Sequence, residues 1–259
     1  MKSKTHYIFA VIGMLLVGAT YFAPIWGVAL QSIQYPKSMY PKGIRINFKY
    51  NGVYNGCEGV KEREEITTNE GAECLVEMNA INHFIGMYHI VQGLNRDGSR
   101  EYPIYYVFNV EKDAEGNDAY NPKTGKKIKI DVTPQALKFL DFVMINSPYF
   151  FIVFILFGLY FMLTPKRLNA AAALVPALLP VYFLVFYIGY LYWYGHNLSM
   201  HGGGAFAGIK PFMPTVFGEG KVAQFTTESY PYYGFFLSMG AFVSFIFALL
   251  FKRKALKDS

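Results

Sequence analysis

Charged residues are absent from four stretches of this chain, about Tyr7–Trp26, Pro148–Thr164, Ala170–Tyr194 and Tyr232–Phe251. A hydrocarbon core about 30 Å thick takes about 20 apolar residues to cross as a helix. The second stretch is short by that measure, but its apolar run begins earlier, near Phe142. With no water in a bilayer to satisfy peptide groups, each stretch is expected to be helical. Pro176 and Pro180 each remove a backbone donor from the third and predict a kink there.

Between these stretches the pattern changes. Ile44, Ile46 and Phe48 alternate with Arg45, Asn47 and Lys49, the period of a half-buried strand. Tyr50-Asn51-Gly52 and Tyr54-Asn55-Gly56 read as turns. Residues 102–110 (YPIYYVFNV) are β-prone, 111–127 read as a polar hairpin tip, and Lys127–Ile130 as the returning strand. Asp113, Glu115, Asn117 and Asp118 in that tip lack the spacing of a calcium loop. Thr133-Pro134 predicts a helix N-cap with proline at the first helical position, and Leu137, Leu140 and Met144 form an apolar stripe after it. Ser147-Pro148 repeats the signal. Together they predict a short amphipathic helix at the membrane surface that bends into the second span.

Composition and charge set the compartment. Mean hydropathy is +0.21 and 16% of residues are charged, against roughly 25% in soluble domains. Lys2, Lys4, Lys166, Arg167, Lys252, Arg253, Lys254 and Lys257 flank the spans on one side, with one acid, Asp258. That side alone carries an excess of seven against a chain total of +6, so the basicity is an orientation signal and implies no nucleic-acid partner. Both termini are expected to be cytoplasmic, with residues 27–147 and 195–231 outside. Val17-Gly18-Ala19 is a poor cleavage site and the apolar run is long for a signal peptide, so the first span is expected to remain as an anchor.

The candidate chemistry lies in the two outer segments. Cys57 and Cys74 are the only cysteines. In an oxidising compartment a disulfide is the preferred reading, and a pair of thiolate copper ligands is the rival. Of five histidines only His6 is on the cytoplasmic side. His83, Met87 and His89 fall in MNAINHFIGMYHI, and His196, Met200 and His201 in YGHNLSMHGGG. Imidazole and thioether together suit copper, with thioether favouring Cu(I), better than a closed structural zinc site. The plain alternative is packing: His83 and Met87, four apart, share a face on a helix, and the glycines after His201 let a loop run close to other backbone. No Walker, G-x-S-x-G, H-E-x-x-H or C-x-x-C-H sequence is present, so neither a recognisable catalytic motif nor covalent haem is read here. Uncharged spans argue against a proton relay.

The series PIWGVALQSIQYP (24–36), YPKGIRI (40–46), INHFIGM (81–87), YGHNL (194–198) and PFMPTVFG (211–218) resembles the NosB-type family, four-helix membrane proteins encoded with clade II nitrous oxide reductase clusters. The resemblance implies a bacterial inner-membrane protein. It implies four transmembrane helices with a mixed α/β, β-rich periplasmic domain between helices one and two. The expected divisions are an anchor at 1–26, the periplasmic domain at 27–147, and a three-helix region at 148–259 with a periplasmic loop at 195–231. It further implies a non-enzymatic accessory role in denitrification, through copper handling or docking to nitrous oxide reductase. An electron-transfer or quinol-interacting component and a metal-free structural subunit are the alternatives.

Overall fold

A computed structural model of the chain describes residues 4–33, 43–55, 108–165, 168–201, 210–222 and 225–258, without the side chains of 44, 53–55 and 198–201. Helix α1 (Thr5–Phe22) ends two residues short of Pro24. Ala23, which precedes that proline, is extended (φ −86°, ψ 144°), the conformation a following proline ring favours. The apolar run predicted as helix to Trp26 therefore changes conformation and continues as strand β1 (Trp26–Gln31).

The strands β2 (Ile44–Lys49) and β3 (Gly52–Asn55) follow, with the predicted turn at Tyr50-Asn51 between them. The predicted hairpin is present as β4 (Phe108–Val110) paired with β5 (Lys129–Asp131). Helix α2 (Gln135–Leu163) comes next, then α3 (Ala170–Ala177) and α4 (Leu179–His201). Strands β6 (Gly218–Val222) and β7 (Phe225–Pro231) lead into α5 (Tyr233–Lys257). Helices α1, α2 and α5 are each long and apolar enough to cross a membrane. The pair α3–α4, bent by 49°, makes a fourth if taken as one broken span. Pro180 explains the break at Leu178, because it has no N–H for the carbonyl of Pro176. The Leu178 N–H is shared between Leu174 O and Pro176 O instead.

Helix α2 departs from expectation. It is a single helix of 29 residues, about 43 Å long at 1.5 Å per residue, with no separate surface helix ahead of it. Its N-cap is Pro134, one residue later than predicted, and Thr133 lies outside the helix with its N–H on Asp131 Oδ1 (2.9 Å). Pro148 sits in the interior and cannot donate to the carbonyl of Met144. Ser147 Oγ donates to that carbonyl at 2.7 Å. The Ser-Pro pair predicted as a cap therefore lets the helix run on, because the serine satisfies the acceptor that the proline leaves open.

Small side chains bring α1 and α5 together. Ala10, Val17, Ala241 and Ala248 are fully buried there, and the Phe245 ring is seated on Gly13, where a Cβ would come within 2.9 Å of it. At the far end Lys252, expected on the basic flank, turns inward. It is buried, donates to Phe161 O, and lies 4.3 Å from the centre of the Phe161 ring. Phe161 is in the last turn of α2, where carbonyls lack helical partners and the dipole favours a cation.

Strands from before α2 and from after α4 contribute to one antiparallel sheet, in the order β3-β2-β1-β7-β6. Strand β1 pairs with β2 (Trp26↔Phe48) and with β7 (Trp26↔Pro231). Residues 195–231, expected as a loop, thus supply a helix end and two strands. The helix pair α1/α5 passes directly into the strand pair β1/β7. At the junction Tyr232 N–H bonds to Ile25 O and Gly234 N–H to Pro24 O, each at 2.9 Å. A Cβ at Gly234 would lie 2.5 Å from Pro24 O, so only glycine permits this approach.

Candidate functional site

His196 is the one predicted ligand whose side chain is described. Cys57, Cys74, His83, Met87 and His89 lie outside the described residues, and Met200 and His201 are described as backbone at the end of α4. The His196 ring stands over Tyr192, one turn earlier, with centroids 4.0 Å apart. Its Nδ1 is 2.8 Å from the Tyr192 carbonyl. A carbonyl accepts only from N–H, so this contact puts a proton on Nδ1, and in the neutral ring the lone pair is then on Nε2. That is the arrangement in which a backbone carbonyl orients a metal-binding imidazole. The same bond equally serves to fix the ring against Tyr192. Among the described residues no three His, Cys, Asp or Glu side chains converge on one point.

Two of the sequence stretches singled out above meet at this position. Phe212 N–H bonds to Gly195 O at 3.3 Å, and a Cβ on Gly195 would collide with Phe212 O and sit 2.7 Å from Pro214 Cδ. The glycine of YGHNL is therefore the seat on which PFMPTVFG crosses α4. This segment is fastened again at Val216, whose carbonyl accepts from Ser229 Oγ at 2.8 Å. Ser229 lies on β7 and is fully buried. It also accepts from Trp26 Nε1 at 2.8 Å and sits 3.3 Å from the Tyr187 hydroxyl. Trp26 packs on Phe183 and Tyr187 of α4, so this network joins sheet, crossing segment and bundle. Sequence reading missed Ser229 and Gly195. Both are defined by neighbours distant in the chain, and a lone serine or glycine carries no local signal of that.

The turn after β2 enters the bundle. Tyr50 packs between Phe151 of α2 (4.9 Å between centroids) and Phe183 of α4 (5.8 Å), and its hydroxyl donates to Leu179 O at 3.3 Å. Burial pushes its phenol well above the ordinary range, so it stays protonated and a donor. Beside this wedge α2 and α4 leave a cleft of about 200 Å³, walled by residues including Leu140, Val143, Phe151, Phe154, Phe183 and Phe186.

No protein family, no characterised protein and no solved structure matches the chain.

Proposed function

We propose that this chain is a non-enzymatic accessory protein of the bacterial inner membrane, with both termini cytoplasmic. It supports a periplasmic copper enzyme, which the sequence resemblance gives as nitrous oxide reductase, by passing on copper or docking the enzyme. Copper is its cargo in this reading. The observation that carries it is the gathering of both outer segments into one sheet at the end of the bundle that holds His196. The basic end of α5 lies at the opposite end, on Phe161. A histidine with this geometry and a sheet at one end suit a carrier that serves a partner there. The Nδ1–H of His196 is held by a backbone carbonyl, which leaves Nε2 for a soft or borderline ion. His83, Met87, His89, Met200 and His201 would complete the ligand set.

The test is affinity purification of the tagged full chain from membranes of cells expressing a nitrous oxide reductase cluster. The reductase is expected to copurify and to be copper-deficient in cells lacking this chain. A reductase that neither copurifies nor loses copper contradicts the reading.

A further inference from the structure

The cleft between α2 and α4 has a chemistry of its own. Four of its polar wall groups are engaged with the protein. The hydroxyl of Tyr50 donates to Leu179 O, that of Ser147 to Met144 O, and that of Tyr190 to Ala136 O at 2.7 Å. The Tyr187 hydroxyl meets Ser229. Lys49 and Tyr182 also line it, and the remaining wall residues are apolar. Away from Lys49 and Tyr182, a ligand with carbonyls or hydroxyls to satisfy would lose hydrogen bonds on entering, whereas hydrocarbon would lose none.

Size narrows the occupant. The volume, about 200 Å³, exceeds the roughly 150 Å³ of a cavity that takes up benzene. It falls short of the roughly 300 Å³ at which pockets begin to enclose whole small molecules. A segment of a chain fits better than an entire head group. Access agrees. Phe150 and Tyr182 belong to the cleft wall and are also exposed, at 39% and 41%. Phe150 stands on a helix apolar enough to span, and Tyr182 on α4, which is so only together with α3 as one bent pair. Beside them Phe139, Phe142 and Ile145 of α2 and Val181, Val185 and Ile188 of α4 are exposed as well. The cleft therefore opens onto surface that bilayer hydrocarbon would cover.

We infer that this cleft holds an acyl chain of a membrane phospholipid, which packs beside Tyr50 and keeps α2 and α4 apart. The inference rests on the membrane reading of the proposed function and is independent of copper. In a bilayer the chain supplies the contacts that an empty apolar cleft forfeits. It also steadies the turn that carries Tyr50, and through β2 the sheet.

The full chain is reconstituted in vesicles of palmitoyl-oleoyl phosphatidylcholine, extracted in mild detergent and weighed by native mass spectrometry. The parent is expected to retain one phospholipid. Val143→Trp, which fills the cleft, should lower retention by about tenfold. Val185→Trp, on a side chain 68% exposed and outside the cleft, should not. Val143→Phe is the milder filling variant if the tryptophan variant fails to fold. A parent free of lipid, or equal retention in the two tryptophan variants, overturns the inference. So does stoichiometric replacement of phospholipid by an isoprenoid quinone added to the vesicles. Extraction of the chain from native membranes by alkaline carbonate would instead contradict the membrane reading itself.

Discussion

Ser147 shows how one residue pair carries two meanings. A serine followed by proline ahead of an apolar run is a sound helix-start signal. The alternative, a serine bonding back to Met144 O, depends on whether a helix already precedes it. Local sequence holds both readings open, and the choice falls to the packing of Leu137, Leu140 and Met144, all buried. Removing the hydroxyl in Ser147→Ala should cost about 1 kcal/mol, read as thermal unfolding of the detergent-solubilised chain. In a Pro148→Ala background the restored N–H reaches Met144 O, and the same change should cost almost nothing. Equal costs in both backgrounds would refute this account of the helix. Gly195 was legible as part of a notable sequence, YGHNL, but not as a contact. Its collision partners, Phe212 and Pro214, are in another segment.

The span helices were the most legible elements, because a run of uncharged residues needs no partner to be recognised. Strand β2 was legible from its period of two. Strands β1 and β7 were not. In WGVALQ both faces carry apolar residues, so β1 merges with the hydrophobic run of α1. In FTTESYP the inward positions include Ser229, a polar residue satisfied by Trp26, so apolar alternation fails where the burial is deepest. The passage from helix pair to strand pair rests on Gly234. Gly234→Val should therefore loosen β1 from β7, at about 1–3 kcal/mol for the overpacking. Hydrogen exchange at Gly27, opposite Tyr230 of β7, is the measurement, and unchanged protection would refute the coupling.

At the start of α2, Asp131 meets Lys138 at 2.7 Å and the Thr133 N–H. These bonds lower its pKa to about 2, with the Lys138 contact the largest cause. Folding lowers the value, so the carboxylate stabilises this cap fully above about pH 4 and loses that contribution as pH falls toward about 2. The Thr133 amide signal should hold its folded position at pH 5 and move only below pH 4. A midpoint near the ordinary carboxylate value would contradict the pairing.

On the scale of the whole molecule, charge distribution predicts an orientation and the fold adds a division of ends. The sheet and His196 lie at one end, and Lys252 lies at the other. Reporter fusions should place Ser259 in the cytoplasm and Gly116 outside, and an external signal at Ser259 would reverse the proposal. Thiol labelling of unreduced protein should find Cys57 and Cys74 blocked as a disulfide, whereas two labelled thiols would favour ligation. The candidate site was legible only as composition, histidine and methionine flanking a span. What joins residues 27–55 to residues 210–231 was hidden because pairing between β1 and β7 links residues about 200 positions apart. The most direct test of the central claim is competitive Cu(I) titration of the detergent-solubilised full chain and of its His83→Ala, His196→Ala double variant. The account predicts that the parent binds Cu(I) and that the double variant binds it at least about tenfold more weakly. No Cu(I) binding by the parent, or equal affinity in the two proteins, would contradict it.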